Sequence, residues 1–377
     1  MNSRRSAHVT AREPRPIILV AKAPRASLSD DIRDGKDARA EYLVLADRIG
    51  ADLYTFHDLA GGGAVVSLAQ KVGGQLLGLA MLGVLRGGRA PFIYVTGEDI
   101  GMRLALLHRL LGRKRKIVAV VHNIDTNARR KIFRTIGPSP YRSVIALATS
   151  QVKVLTGAIG FDAGSVTFLP TWIDEFFFRG DAPPPPPRGT DEPPKVFPVA
   201  DSYALAIGME SRDYPTLQRA MAMPQFSHIT MHVVASGWSP GAGYARASGI
   251  SDASNITVSS GYTSQELRML YAGARLVVVP LNQVTYAAGV TGILEGMAMS
   301  KAVVASDSPG IRDYTRDGKC GAVVPCRDAD ALGAAIAKLW DDPSLAKAVG
   351  NDNRRWVEAT TATDLYVESV ATLTGVR

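Results

Sequence analysis

Apolar, β-branched runs alternate with stretches of helical apolar spacing along this chain, and the alternation breaks outright at Pro183–Pro187 before it starts again. Five successive prolines fix φ and remove five backbone donors. They exclude a helix interior and favour an extended polyproline II path. The next residues, Arg188-Gly189-Thr190-Asp191-Glu192-Pro193-Pro194, prolong the break. A connector between domains is the simplest account; a ligand for an SH3-type domain is the other. A strand–helix pattern on each side predicts two α/β domains with doubly wound sheets. The length of 377 residues agrees, because a single core rarely grows past about 250–300 residues.

In the first half, strands are expected at Pro16–Val20, Asp52–Phe56, Phe92–Thr96, Ile117–Val121, Ser143–Ala148 and Val166–Pro170. In the second they are expected at Tyr203–Ile207, Ile229–Ala235, Ile256–Val258, Leu276–Pro280, Ala302–Ala305 and Gly321–Pro325, with helical spacing between them. The tail from Pro343 to Leu373 reads as helical. The chain thus divides into residues 14–177, a Pro-rich linker 178–197, residues 198–350 and a helical extension 351–377. Doubly wound sheets take ligands at the C-terminal ends of their strands, so two such domains leave room for a cleft between them.

Lys and Arg number 43 against 35 Asp and Glu, a net charge of +8. Much of the excess is local, in Arg113-Lys114-Arg115-Lys116 and in Arg129-Arg130-Lys131 with Arg134. Either a solvated basic face or a surface for anionic lipid or phosphate accounts for it. No zinc-finger, RNP or helix-turn-helix pattern accompanies the charge, so nucleic acid is not an expected partner. Cys320 and Cys326 are the only cysteines, which gives no disulfide framework and no cysteine-built metal site. No apolar run precedes Arg12, and a cytoplasmic location follows as the expectation. The apolar stretch Ala64–Leu85 contains Ser67, Gln70, Lys71 and Gln75, and its purest run, Leu76–Leu85, is shorter than the roughly 20 residues of a membrane span. It reads as a helix that is either buried or laid on an interface. With Arg86 and Arg89 behind it, the second option places the protein at the inner face of the plasma membrane.

Two common nucleotide signatures are missing. Val20-Ala21-Lys22-Ala23-Pro24 follows the first strand where a dinucleotide fingerprint would stand, and no Walker A motif occurs. The most informative segment runs from Tyr271-Ala-Gly-Ala-Arg-Leu-Val-Val-Val-Pro-Leu281 through Ala287-Ala-Gly-Val-Thr-Gly-Ile-Leu-Glu-Gly-Met-Ala-Met-Ser-Lys-Ala-Val-Val-Ala-Ser306. It ends in Asp307-Ser-Pro-Gly-Ile-Arg-Asp-Tyr314. A strand closed by Pro280, a glycine-rich loop and a helix starting near Gly292 allow close backbone approach and offer free N–H groups to an anion. Glu295, one turn further, is placed either to accept ribose hydroxyls or to serve the helix start electrostatically.

This segment resembles the donor-binding half of the retaining GT-B glycosyltransferases of the glycosyl transferases group 1 (GT4) family, strongly from about Gly208 to Leu339 and more weakly from Pro16 to Asp174. The resemblance implies two Rossmann-like domains facing a central cleft, with a C-terminal helical extension. It implies retaining transfer from a nucleoside-diphosphate sugar, UDP- or GDP-linked, to a hydroxyl acceptor, lipid-linked or a glycan. No further cofactor and no metal are implied; Asp328-Ala-Asp330, the one D-x-D match, lies at an expected helix start.

Residue by residue, the resemblance assigns the donor to Ala288, Gly289, Val290, Thr291, Gly292 and Glu295, with Glu266 beside the nucleotide base. Arg212 is the phosphate-neutralising cation, Met209 standing where the family has Arg. His122 is assigned to the transferred sugar, and His122 and Arg212 are the catalytic candidates. His57 and Asp58, at another strand end, are acceptor-side candidates. The family's first carboxylate of a Glu-x7-Glu pair is Ala287 here, and the preceding loop is about three residues longer. Phe168-Leu-Pro-Thr-Trp-Ile-Asp174 matches the stretch before the interdomain crossing, with Thr171-Trp172 in place of Asn-Gly. Two rivals stand beside the transferase: a sugar-nucleotide 2-epimerase on the same architecture, and a non-catalytic sugar-nucleotide-binding scaffold suggested by Ala287 and Met209.

Overall fold

The computed structural model describes residues 14–114, 116–181, 198, 201–235 and 250–376. Pro183–Pro187 and Arg115 lie outside the described residues.

Six strands of the first half, β1 (Ile17–Leu19), β2 (Asp52–Tyr54), β3 (Ile93–Val95), β4 (Ile117–Val121), β5 (Tyr141–Ala146) and β6 (Val166–Phe168), pair in parallel in the order β2-β1-β3-β4-β5-β6 among the described residues. The second half repeats the design with β7 (Ala204–Ile207), β8 (Met231–Val234), β9 (Ile256–Ser259), β10 (Leu276–Val279), β11 (Ala302–Ser306) and β12 (Gly321–Val324), ordered β12-β11-β10-β7-β8-β9. Runs such as Ile117–Val121 and Leu276–Val279 are apolar at every position because helices cover both faces of a parallel sheet, and every residue in them is buried. In the second sheet β7 has β8 on one side and β10 on the other. The winding direction reverses there, and the helices that follow β7 and β10 pack on opposite faces of the sheet, the position at which such sheets carry a ligand crevice.

The crossover helices of the first domain are α1 (Leu28–Arg33), α2 (Glu41–Ile49), α3 (Gly63–Arg86), α4 (Glu98–Leu110), α5 (Asn127–Ile136) and α6 (Thr149–Lys153). α3 is broken at Gly73 and Gly74, the latter with φ +72°. Beyond the break Leu79, Ala80, Leu82 and Val84 are buried, and Gly83 lies so close to Leu19 that an added Cβ would come within 2.6 Å of it. The run Leu76–Leu85 is therefore mainly core, contrary to its reading as the lipid-facing surface. The apolar side chains that α3 leaves exposed come before the break, at Val65, Leu68 and Val72, with Leu85 at the end.

In the second domain follow α7 (Tyr214–Met221), α8 (Ser264–Gly273), α9 (Val290–Ala298) and α10 (Ala329–Asp341). α11 (Pro343–Thr360) straddles the expected boundary at residues 350 and 351, and α12 (Thr363–Thr374) ends the chain. α12 returns to the first domain: Tyr366, Val367, Val370 and Ala371 share one core with Tyr42, Leu45 and Ile49 of α2. The chain thus crosses between domains at two places, and these lie side by side. Ile173 N–H donates to Thr361 O at 2.9 Å, and Thr363 N–H to Ile173 O at 3.1 Å.

Candidate functional site

The crevice of the second sheet is built by the loops after β7 and β10. They are tied together by Asp213 N–H to Pro280 O at 3.0 Å and Asn282 N–H to Ser211 O at 2.9 Å. Ser211 takes φ +56°, the left-handed region that non-glycine residues avoid. Asp213 then caps α7, accepting from Thr216 N–H at 3.2 Å and from its hydroxyl at 2.7 Å.

This geometry turns Arg212 back into the crevice. Its Nε donates to Ile207 O at 2.8 Å and its Nη1 to Glu210 O at 2.9 Å. Gly208 packs against the guanidinium, and a Cβ on Gly289 would lie 3.1 Å from Nη1. Gly289 itself has φ +84° and precedes α9 without a side-chain cap. A cation thus rests at a helix start whose first N–H groups lack a capping side chain. Burial lowers the Arg212 pKa, with Tyr214, Tyr271, Glu210 and Glu295 acting in the opposite sense. The guanidinium stays charged, and an anion that accepts from it and from the helix start is the ligand this arrangement favours.

Glu295 lies one turn into α9. Burial pushes its carboxyl up to about 7, while the hydrogen bond from Tyr271 and the charge of Arg212 pull it down. Tyr271 Oη, fully buried on α8, donates to Glu295 Oε2 at 2.7 Å. Tyr271 was not singled out by the sequence, because its place in the apolar stripe of α8 reads as core. Glu266, on the same helix, accepts from Thr263 N–H at 2.8 Å and closes a capping box. That contact serves the helix start.

The loop from Asn282 to Gly289 faces the first domain. Thr285 N–H donates to Asp125 Oδ2 at 2.8 Å, its hydroxyl also bonds Asp125, and Ser150 Oγ donates to Thr285 O at 2.6 Å. Tyr286 Oη donates to Glu210 Oε1 at 2.9 Å and lies 2.8 Å from Ser211 Oγ. Ala287 packs where the cores of the two domains meet. Ala288 and Val290 are buried, Thr291 is exposed, and Gly292 packs against Ile207.

On the first domain, His122 is exposed just beyond β4. Its N–H donates to the buried Glu98 at 2.9 Å, and Nε2 lies 2.8 Å from Thr96 O. Glu41, at the start of α2, has its pKa raised by burial against the opposing charges of Lys22 and His122. Neither Glu41 nor Lys22 was picked out from the sequence, where they stand 19 residues apart on different elements. His57 is exposed, with Nε2 2.7 Å from Pro24 O. Asp58 accepts from Thr55 N–H at 2.7 Å and so closes a turn. Asp328 caps α10 through Ala331 N–H at 2.9 Å. Among the described residues no group of three or more His, Cys, Asp or Glu is placed to hold a metal ion.

Residues 214–342 match the family described as glycosyl transferases group 1. Over 254 residues the chain is 27% identical to a GDP-mannose-dependent alpha-(1-6)-phosphatidylinositol monomannoside mannosyltransferase of Mycolicibacterium smegmatis, covering 61% of this chain and 65% of that protein. A lipopolysaccharide core biosynthesis mannosyltransferase of Rhizobium leguminosarum is 34% identical over 105 residues, 28% of this chain and 29% of that one. These alignments span less than two thirds of either relative. Among solved structures, a sucrose-phosphate synthase from Thermosynechococcus elongatus superposes with a TM-score of 0.66 at 16% identity, covering 96% of this chain and 98% of that one. HepE of Anabaena, solved with UDP and glucose, gives 0.64 at 12% identity over 96% and 99%. The chain has the two-domain GT-B fold, and its second domain is related to the glycosyl transferases group 1 family.

Proposed function

We propose that the protein transfers a sugar from a nucleoside-diphosphate sugar to a hydroxyl acceptor, with anomeric configuration retained and no metal ion required. The observation that carries this reading is the convergence of Arg212, the start of α9 and Glu295 at the point where the second sheet reverses its winding. Diphosphate oxygens accept from Arg212 and the free N–H groups, and Glu295 accepts from ribose hydroxyls. The acceptor oxygen bonds to the anomeric carbon as the carbon–phosphate-oxygen bond breaks, and the departing phosphate takes the acceptor proton. Arg212 and the helix start stabilise the charge that develops on that phosphate. His122 orients the sugar from the first domain. GDP-mannose is the first donor to test, because the longest sequence matches bear names that specify it.

The acceptor is proposed to be lipid-linked and reached at an anionic membrane surface. Val65, Leu68 and Val72 on α3 and Leu106 and Leu110 on α4, two helices packed together, are exposed apolar side chains. Phe56–Arg86 is long and apolar enough, by length and composition, to cross a bilayer, but its second half is occupied with the core. The mannosyltransferase relatives named for a phosphatidylinositol acceptor favour the same class. Incubation of GDP-mannose or UDP-glucose with lipid and glycan acceptor panels, followed by mass analysis, tests the reading. A glycosylated acceptor with release of nucleoside diphosphate is expected. Isomerised donor without acceptor would establish the epimerase instead, and tight donor binding without product would establish the scaffold.

A further inference from the structure

The start of α9 has two chemically different sides. On one, Glu295 and Tyr271 lie within the second domain. On the other, the loop carrying Thr285 and Tyr286 reaches the first domain through Asp125 and Ser150. A donor with its phosphates laid against Arg212 and the start of α9 therefore has its nucleoside on the first side and its sugar on the second. Sugar hydroxyls need acceptors there, and Ala287 offers only a methyl group.

Glu210 lies on that side. Its carboxylate is exposed, and Oε1 takes a hydrogen bond from Tyr286 Oη at 2.9 Å while Oε2 has no partner among the described residues. Its position is determined from three directions. Glu210 O accepts from Arg212 Nη1 at 2.9 Å, Tyr286 Oη is braced by Ser211 Oγ at 2.8 Å, and Ser211 is held left-handed by the bond from Asn282 N–H at 2.9 Å. Such backbone strain persists only where the surroundings over-determine it. A carboxylate with one oxygen fixed and the other open is suited to accept from a sugar hydroxyl or a vicinal diol. Asp125, by contrast, has both oxygens engaged by Thr285.

We infer that Glu210, positioned by Tyr286, binds hydroxyls of the transferred sugar and determines which sugar the site accepts. This rests on the donor site proposed above. The test is calorimetric titration of wild type, Glu210→Gln and Tyr286→Phe with GDP-mannose and UDP-glucose, and with GDP and UDP as sugar-free probes. Glu210→Gln is expected to weaken the preferred sugar donor about tenfold, the scale of one charge-assisted hydrogen bond, and to change binding of the free diphosphate less than about twofold. Tyr286→Phe, which removes the brace and keeps the ring, is expected to show the same selective loss at smaller size. Equal losses on the donor and its free diphosphate, or no loss on either, would overturn the inference and leave the donor site standing. Failure of wild type to bind any of the four would overturn the donor site, and this inference with it.

Discussion

Glu295 couples the proposed donor site to the stability of the fold. Its carboxyl titrates at about 7 in the folded protein against an ordinary 4.5, mainly through burial. The folded state therefore holds the proton more tightly than the unfolded chain. The resulting stabilisation is complete below about 4.5, declines as pH rises, and is lost above about 7. Glu295→Gln, which imitates the protonated form, should match wild type in denaturant unfolding at pH 4.5 and exceed it by about 1–3 kcal/mol at pH 8. The same substitution should weaken donor binding by about 1.5–3 kcal/mol at pH 8, and unchanged affinity in calorimetry would remove the ribose assignment. Arg212→Ala should weaken nucleoside diphosphate about tenfold or more and bare nucleoside less than twofold; an equal effect would indicate damage to the fold. Arg212 and Glu295 were legible because each follows a glycine-marked strand end or helix start, where local sequence dictates what the backbone offers. Tyr271 and Glu210 were not. Their partners lie 24 and 76 residues away, and nothing in the intervening residues encodes the meeting.

At the scale of the element, the start of α9 depends on what Gly289 lacks. A Cβ there would meet Leu281 at 2.9 Å, Val279 at 3.0 Å and Arg212 at 3.1 Å, on a backbone at φ +84°. Gly289→Ala should destabilise the protein by about 1–3 kcal/mol and displace the guanidinium, so that diphosphate affinity falls as well; thermal unfolding with and without GDP reads both. α3 shows where sequence reading stops. Hydropathy registers that Leu76–Leu85 is apolar but not which turns meet the sheet. The break at Gly73-Gly74 lets the second half lie on β1 and α4 while Val65, Leu68 and Val72 face outward. Co-sedimentation with anionic liposomes at low salt is expected for wild type and should be lost in Leu68→Glu/Val72→Glu. Binding that survives those changes, or its absence in wild type, would discard this membrane surface.

Across the whole molecule, the two-domain division was legible because the strand–helix alternation restarts, and each unit predicts its own sheet. The return of α12 was not. Its apolar spacing announces a helix with a buried face, but the partner, α2, begins more than 300 residues earlier. Truncation after Ala362 removes Tyr366, Val367, Val370 and Ala371 from the first domain's core and breaks the contact between Tyr94 Oη and Tyr366 Oη at 2.9 Å. The shortened protein should lose about 5 kcal/mol or more, by area removed from the core, and circular dichroism melting should show the first domain unfolding separately. This return also sets an order of assembly. A chain leaves the ribosome from its N-terminus, and domains made first ordinarily finish first. Here the residues of the first sheet emerge early, but the core over Tyr42 and Leu45 stays open until α12, which follows both sheets in the chain, has been made.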